Sequence, residues 1–352
     1  MTPERLQELI VRFGSCRIAV IGDFFLDKYL DTNPRILQRS VESGQPAHQV
    51  VGIRRTPGAA GTIVSNLISL GTPVVHAVGA IGDDGEAHDL LKALGRLGCN
   101  TSGLLQNPLL MTSTYLKPRD MTDTSLAGEH ERYDTKNRKP TPDQIIEAVI
   151  EILDQLLKDI DAVIIADQVE EDDCGIITSR MRGRLAEQAK RHPEIVFLAD
   201  SRTHIRLFRN LIIKPNQFEA VDHSNPLPKE RIDLERVKRA LPDLRAETGA
   251  PVYATLGERG ALVTDPQMTL IPAVRIEGPT DPTGAGDSTC AGAVLALASG
   301  ASLPEAALIA NLVASLTIQQ LAMTGTAKPE QLPGRLELWR KQNGCETIQS
   351  EL

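Results

Sequence analysis

The sequence predicts an α/β protein: a doubly wound, mostly parallel sheet with helices on both faces and a small β lid. Three observations carry this. From Ala162 to Gln320, short apolar runs alternate with amphipathic stretches of helical length, the rhythm of βαβ units. Near the start, Arg17 to Gly22 is a short apolar run of the kind buried in a parallel sheet. Two polar, broken stretches, roughly residues 31–55 and 110–135, interrupt the rhythm and read as excursions from the core.

The elements follow in order. Met1 to Phe13 reads as an amphipathic helix, and Arg17 to Gly22 as the first core strand. Asp23 then lies at the carboxyl end of that strand, where open α/β sheets bind ligands; position alone equally allows a capping or turn Asp. In the first excursion, His48 to Ile53 is a candidate strand. Thr56 to Gly61 leads into a helix with apolar Ile63, Val64, Leu67, Ile68 and Leu70, stopped by Gly71. Val74 to Val78 is a strand, and Gly82-Asp83-Asp84-Gly85 opens a helix ending at Leu97-Gly98. Thr112 to Pro118 and Glu129 to Asp134 read as an antiparallel pair in the second excursion. Thr141-Pro142-Asp143 starts a helix running to about Lys158. Then come strand 162–166, helix 178–191, strands 195–199 and 211–213, helix 234–247 and strand 252–255. Segments 261–264 and 270–276 read as an edge hairpin. Two Ala-rich helices follow, 284–298 and 303–320, and a tail, 331–352, expected to dock as one helix around Trp339. Residues 1–330 are read as one domain.

Composition narrows the function. The chain has 352 residues, 46 acidic against 38 basic, and a net charge of −8, which argues against non-specific nucleic-acid binding. The five cysteines are scattered and form no Cys-x-x-Cys pair, so a disulfide framework or zinc site is not expected and a reducing compartment is. No signal peptide and no apolar run of membrane-spanning length is visible, so the cytoplasm is expected.

One stretch concentrates the chemistry: Gly278-Pro279-Thr280-Asp281-Pro282-Thr283-Gly284-Ala285-Gly286-Asp287-Ser288, between an apolar run and an Ala-rich helix. The first amides of a helix lack partners and carry positive partial charge, and glycines let an anion approach them. A carboxylate there would repel a phosphate. Asp287 makes sense as a base that takes the proton of an attacking hydroxyl while the amides of Gly284, Ala285, Gly286 and Asp287 hold the transferred group. The plain alternative is an Asp favoured by the helix dipole. No Gly-x4-Gly-Lys-Ser/Thr occurs, which excludes a P-loop kinase, and no Gly-x-Gly-x-x-Gly follows the first strand.

The run Asp281 to Asp287 resembles the signature of the ribokinase-like (PfkB) carbohydrate kinases. So do Gly22-Asp23-Phe24-Phe25-Leu26-Asp27-Lys28-Tyr29, Pro57-Gly58-Ala59-Ala60-Gly61, Val78 to Gly85, Lys214-Pro215-Asn216-Gln217-Phe218-Glu219 and Thr255-Leu256-Gly257-Glu258-Arg259-Gly260. The resemblance runs from about Arg17 to Ala327. Within the family, Gly22 to Tyr29 and Arg132-Tyr133-Asp134 are most similar to the heptose-7-phosphate kinase branch of ADP-heptose synthesis.

The resemblance implies a ribokinase-like fold and ATP- and Mg²⁺-dependent phosphorylation of a sugar or sugar-phosphate hydroxyl. It implies nucleotide contacts at Thr255, Gly257, Asn216 and Asn311, and acceptor contacts at Asp23, Gly58, Ala59, Thr62 and Arg132. It implies a lid that pairs across a homodimer. Asn216 and Glu219 offer hard oxygens suited to Mg²⁺; the same spacing is also that of a helix cap, and both can hold at once. Asn311 equally reads as a solvated helix Asn. Two departures stand out. Where the family carries Gly-Gly followed by Asn, this chain has Gly58-Ala59 and then Thr62, and Asp167 to Glu171 lacks the Lys-Gly of the heptose branch. These alter the acceptor half. Alternative readings are therefore a kinase of another sugar phosphate or of a nucleoside, or a catalytically weak sugar-binding regulator. The nucleotidyltransferase half of bifunctional heptose enzymes, with its His-x-Gly-His motif, is not found.

Overall fold

A computed structural model describes residues 1–123, 128–227, 230–321 and 324–344. Residues 124–127 of the second excursion and 345–352 of the expected tail lie outside these. The core sheet is parallel and six-stranded. It uses β1 (Arg17–Gly22), β6 (Val74–Ile81), β7 (Asn100–Gln106), β10 (Ala162–Asp167), β11 (Val196–Ser201) and β12 (Ile212–Ile213), in the order β12-β11-β10-β1-β6-β7. Single parallel bridges, Ile213 with Val252 and Asn216 with Thr255, carry the sheet on to β13 (Tyr253–Thr255). That strand is antiparallel to β14 (Ala261–Val263), which pairs with β15 (Thr269–Ile271).

The strands are apolar on both sides, and their alternation divides the core in two. Ile18, Val20, Val75, Ala77 and Ile164 face one layer of helices: α1 (Pro3–Phe13), α2 (Ala60–Ser69), α3 (Gly85–Leu97), α7 (Ala285–Ala298), α8 (Leu303–Thr317) and α9 (Leu332–Asn343). Ala19, Ile21, Val78, Val163 and Ile165 face the other: α4 (Asp143–Leu156), α5 (Ser179–Arg191) and α6 (Leu234–Thr248). Helix starts are capped as their residues dictate. Thr2, Asp84 and Thr178 each accept an amide of the first turn, and Ser302 with Glu305 forms a capping box. The tail docks through Leu332, Leu336 and Trp339, whose Nε1 donates to Pro272 O at 2.8 Å.

A second, four-stranded sheet stands over the carboxyl ends of the core strands. Its order is β5-β2-β8-β9, from β2 (Phe24–Thr32), β5 (Val50–Ala59), β8 (Thr114–Asp120) and β9 (Tyr133–Thr135). Two short strands, β3 (Gln38–Arg39) and β4 (Pro46–Ala47), form a hairpin within the first excursion.

The lid therefore begins at Phe24, not near residue 31. Gly22, at φ 142°, lies so close to β10 that a Cβ would stand 2.1 Å from Ala166 O, and the chain leaves the core sheet at the next residue. Two other expectations change. Strand β7 follows α3 with no counterpart in the sequence reading, because its polar opening, Asn100-Thr101-Ser102, hides the apolar end. The edge strand expected over 270–276 stops at Ile271, since Pro272 cannot continue the ladder.

Candidate active site

The site lies where the lid faces α7, and it is built from strand ends and one helix start. Gly284 caps α7 in the left-handed region, at φ 77°. Space excludes a side chain there as well: a Cβ would lie 2.8 Å from Thr324 Cγ2 and 3.5 Å from Thr62 Cγ2. Asp281 stiffens the approach, accepting from Thr283 N at 3.0 Å and donating its own N–H to Ile318 O at 2.8 Å. The Ala285 amide donates to Pro282 O at 3.0 Å, which removes it from the expected anion hole. The amides of Gly286 and Asp287 have no protein acceptor among the described residues and remain to receive an anion.

Asp287 is half-buried beside them. Burial, then the Asp200 carboxylate, push its carboxyl up to about 7, against the opposing pull of Lys214 and Arg202. A carboxylate so poised is well matched to accept a hydroxyl proton near neutral pH.

On one side of α7 opens a cavity of about 670 Å³. Thr255, Gly257, Gly260, Val274, Ile276, Ala285, Gly286 and Asn311 are among its lining residues. Its lining mixes apolar side chains such as Val274, Ile276 and Ile318 with polar Thr255, Thr289 and Asn311, a combination that suits a nucleotide. Asn311 is not a solvated helix Asn: its Nδ2 donates to Ile271 O at 3.1 Å and Pro272 O at 3.2 Å, fixing the segment that forms the cavity wall. Thr255 N donates to Pro215 O at 2.9 Å, placing Asn216 beside it.

Asn216 and Glu219 form the cap that the sequence also allowed, over a single 3-10 turn, Glu219–Val221. Asn216 Oδ1 accepts from Phe218 N at 2.8 Å and Glu219 N at 3.0 Å, while Glu219 Oε2 accepts from Asn216 N at 2.7 Å. Burial pushes the Glu219 carboxyl up to about 7, and the Asn216 amide opposes it. As a Mg²⁺ ligand pair they fit unequally. Both lone pairs of Asn216 Oδ1 are engaged, whereas Glu219 Oε1 has no hydrogen-bond partner among the described residues, enough for one contact to a well-hydrated ion. No cluster of three or more His, Cys, Asp or Glu among the described residues offers a protein cage.

The acceptor side differs most from expectation. Asp23 does not face the cleft. Its Oδ2 accepts from Gln168 N at 2.8 Å and Val169 N at 3.2 Å, and its Oδ1 from Ile176 N at 2.8 Å. It ties the end of β1 to the 168–176 loop, and burial with the Asp167 charge raises its carboxyl to about 7. Of the two carboxylates in this motif, it is Asp27 whose charge reaches Asp287, adding to the larger effect of Asp200. Asp27 is 6% exposed, packs against Gly58 (3.1 Å to a Cβ there) and pairs with Lys117 Nζ at 3.3 Å. Its position in the Gly22–Tyr29 motif, five residues after Gly22, was the available signal. Lys117 also stacks over Tyr29 and Tyr115, and Arg132, bidentate to Asp134, covers Tyr115 at 4.1 Å. Arg132 thus belongs to the lid, and Thr62 lies in the first turn of α2 against Gly284. Ala59 caps α2 with φ 52° and ψ −121°.

A doubly wound core with a β lid is a ribokinase-like fold, and the acidic residue among free helix-start amides is its candidate phosphoryl-transfer site. The model of the pfkB family carbohydrate kinases matches residues 18–330, and the chain belongs to that family. Among curated relatives, bifunctional protein HldE of Mesorhizobium japonicum is 30% identical over 95% of this chain, and that of Desulfatibacillum aliphaticivorans 28% over 93%. The chain spans just under two thirds of these relatives, 65% and 64% of their lengths. Among solved structures, ribokinase of Thermotoga maritima superposes with a TM-score of 0.64 at 19% identity, over 92% of this chain and 99% of that one. Phosphofructokinase-2 of Escherichia coli gives 0.67 at 16%, over 93% and 100%. These two share the fold. No helix among the described residues is long and apolar enough to cross a membrane.

Proposed function

We propose that this sugar kinase transfers the γ-phosphoryl group of ATP to a hydroxyl of a sugar phosphate, with heptose 7-phosphate the first acceptor to test. The observation that carries the reading is Asp287, poised near neutrality beside the free amides of Gly286 and Asp287 and within electrostatic reach of Asp27. Nucleotide would fill the cavity bounded by Thr255, Gly257 and Asn311. The acceptor would lie under the lid, near Asp27, Gly58 and Lys117. As the acceptor oxygen bonds to the γ-phosphorus, its proton passes to the Asp287 carboxylate. The bond from that phosphorus to the bridging oxygen of ADP breaks, and the two amides meet the charge on the moving oxygens. Mg²⁺, which would sit near Glu219, supplies charge neutralisation of the phosphates. The lid keeps water from competing as acceptor.

The resemblance of Gly22 to Tyr29 and Arg132 to Asp134 supports the heptose branch, as do relatives named HldE. Ala59 and Thr62 favour a second reading, a kinase of another sugar phosphate. ADP release with ATP and Mg²⁺ across a panel of sugars and sugar phosphates decides between them. Heptose 7-phosphate giving the highest kcat/KM upholds the first, and another acceptor exceeding it upholds the second. No acceptor-stimulated turnover would end both. We place the protein in the cytoplasm, as a homodimer through the lid.

A further inference from the structure

Lys214 has so far entered only as a charge that acts on Asp287. It follows β12, and Pro215 then turns the chain toward Asn216. The residue is 4% exposed, yet it ends in a charge. Its Nζ pairs with Asp200 Oδ1 at 2.9 Å. A carbon at the Cβ position of Gly286 would stand 3.7 Å from that Nζ, so the ammonium rests against the first turn of α7. Around it lie Tyr253 and Cys290, both fully buried.

Two features of this placement need a reason. A buried ion pair seldom adds stability over apolar residues of the same size, because both charges must leave water. A cation at a helix N-terminus is also held against the positive end of the dipole. Both costs fall once an anion arrives at the place that the ammonium and the free Gly286 and Asp287 amides share. An ammonium has three N–H donors, and Asp200 can take one, leaving others for phosphate oxygens.

We propose that Lys214 is a further catalytic residue, whose ammonium, aimed by Asp200, contacts the phosphoryl group as it moves from nucleotide to acceptor. This rests on the kinase reading above. Asp200 is then a positioning residue.

The test compares affinities for Mg²⁺-ADP and for the Mg²⁺ complex of β,γ-imido-ATP, so it needs no acceptor. The double variant Lys214→Met/Asp200→Asn removes both charges and leaves neither buried alone. It should bind ADP like the wild type but lose about tenfold or more in affinity for the triphosphate analogue, as expected for a hydrogen bond between charged groups. Lys214→Arg, which keeps the charge, should recover part of that loss. If the double variant does not fold, Lys214→Gln, whose amide can still donate to Asp200, carries the same comparison. Variants that bind the triphosphate analogue as tightly as the wild type overturn the role of Lys214 and leave the kinase reading standing. A wild type that binds neither nucleotide overturns the kinase reading, and this role with it.

Discussion

Ala59 is an alanine held at φ 52° and ψ −121°, where L side chains are rarely found and glycine is at ease. Replacing it with glycine relieves roughly 1–2 kcal/mol of local strain, partly offset by the extra freedom glycine has when unfolded. Ala59→Gly should therefore raise the urea midpoint with an unchanged m-value; a lower midpoint would show that the backbone tolerates Ala59 without strain. At the same scale, the proposed role of Asp287 as the base sets the expected pH dependence. A base must be ionised to accept a proton, and this carboxyl is raised to about 7. Hence kcat/KM should fall about tenfold per unit as pH drops below about 7. Asp287→Asn should lower the rate by about 10²–10⁴-fold at all pH values while nucleotide still binds. An acid limb near pH 4 in the wild type, or a near-normal rate in the variant, would remove Asp287 as the base.

At the scale of elements, the Asp287 helix was legible because glycines, an acid and an Ala-rich run follow one another within a few residues. The regular βα units were legible for the same reason: their signals are local. The acceptor side was not, because it depends on distant pairings. Asp23 and Asp27 stand in one motif, and only the register of β2 with β5 and β8 sends Asp27 toward Gly58 and Lys117. Lys214 reads as a strand-end lysine until α7 is folded against it. Glu219 and Asn216 illustrate the reverse case, in which local spacing foretold the cap. Asp23 fastens the 168–176 loop with three backbone hydrogen bonds, so Asp23→Asn would turn an amide toward N–H donors. That mismatch should cost about 1–3 kcal/mol, read as a lower urea midpoint. An unchanged midpoint would show that the loop does not depend on this carboxylate.

For the whole molecule, β5 is an edge strand whose outer side has no partner among the described residues, with Val50, Val51 and Ile53 all exposed. Edges of this length and apolarity invite pairing with another chain. A second copy joined there is the proposed homodimer. Ile53→Asp should then shift the sedimentation coefficient from dimer to monomer at micromolar concentration without changing the far-ultraviolet spectrum. A wild type that sediments as a monomer would end the lid-dimer proposal.

The lid is joined to the core without a tether. Strand β1 passes straight into β2 at Asp23, and β5 passes straight into α2 at Ala59, while Ala60 N donates to Asp23 O at 3.1 Å. Both roots of the central hairpin thus meet at one point, and the two residues there are the buried carboxylate and the strained alanine. Any swing of the lid would turn on that point like a lever on its pin. Its short arm is the first turn of α2, where Thr62 lies against Gly284. If the proposed acceptor lies under the lid, closure over it would press on the turn that bears Gly284, and acceptor size would be felt as pressure there.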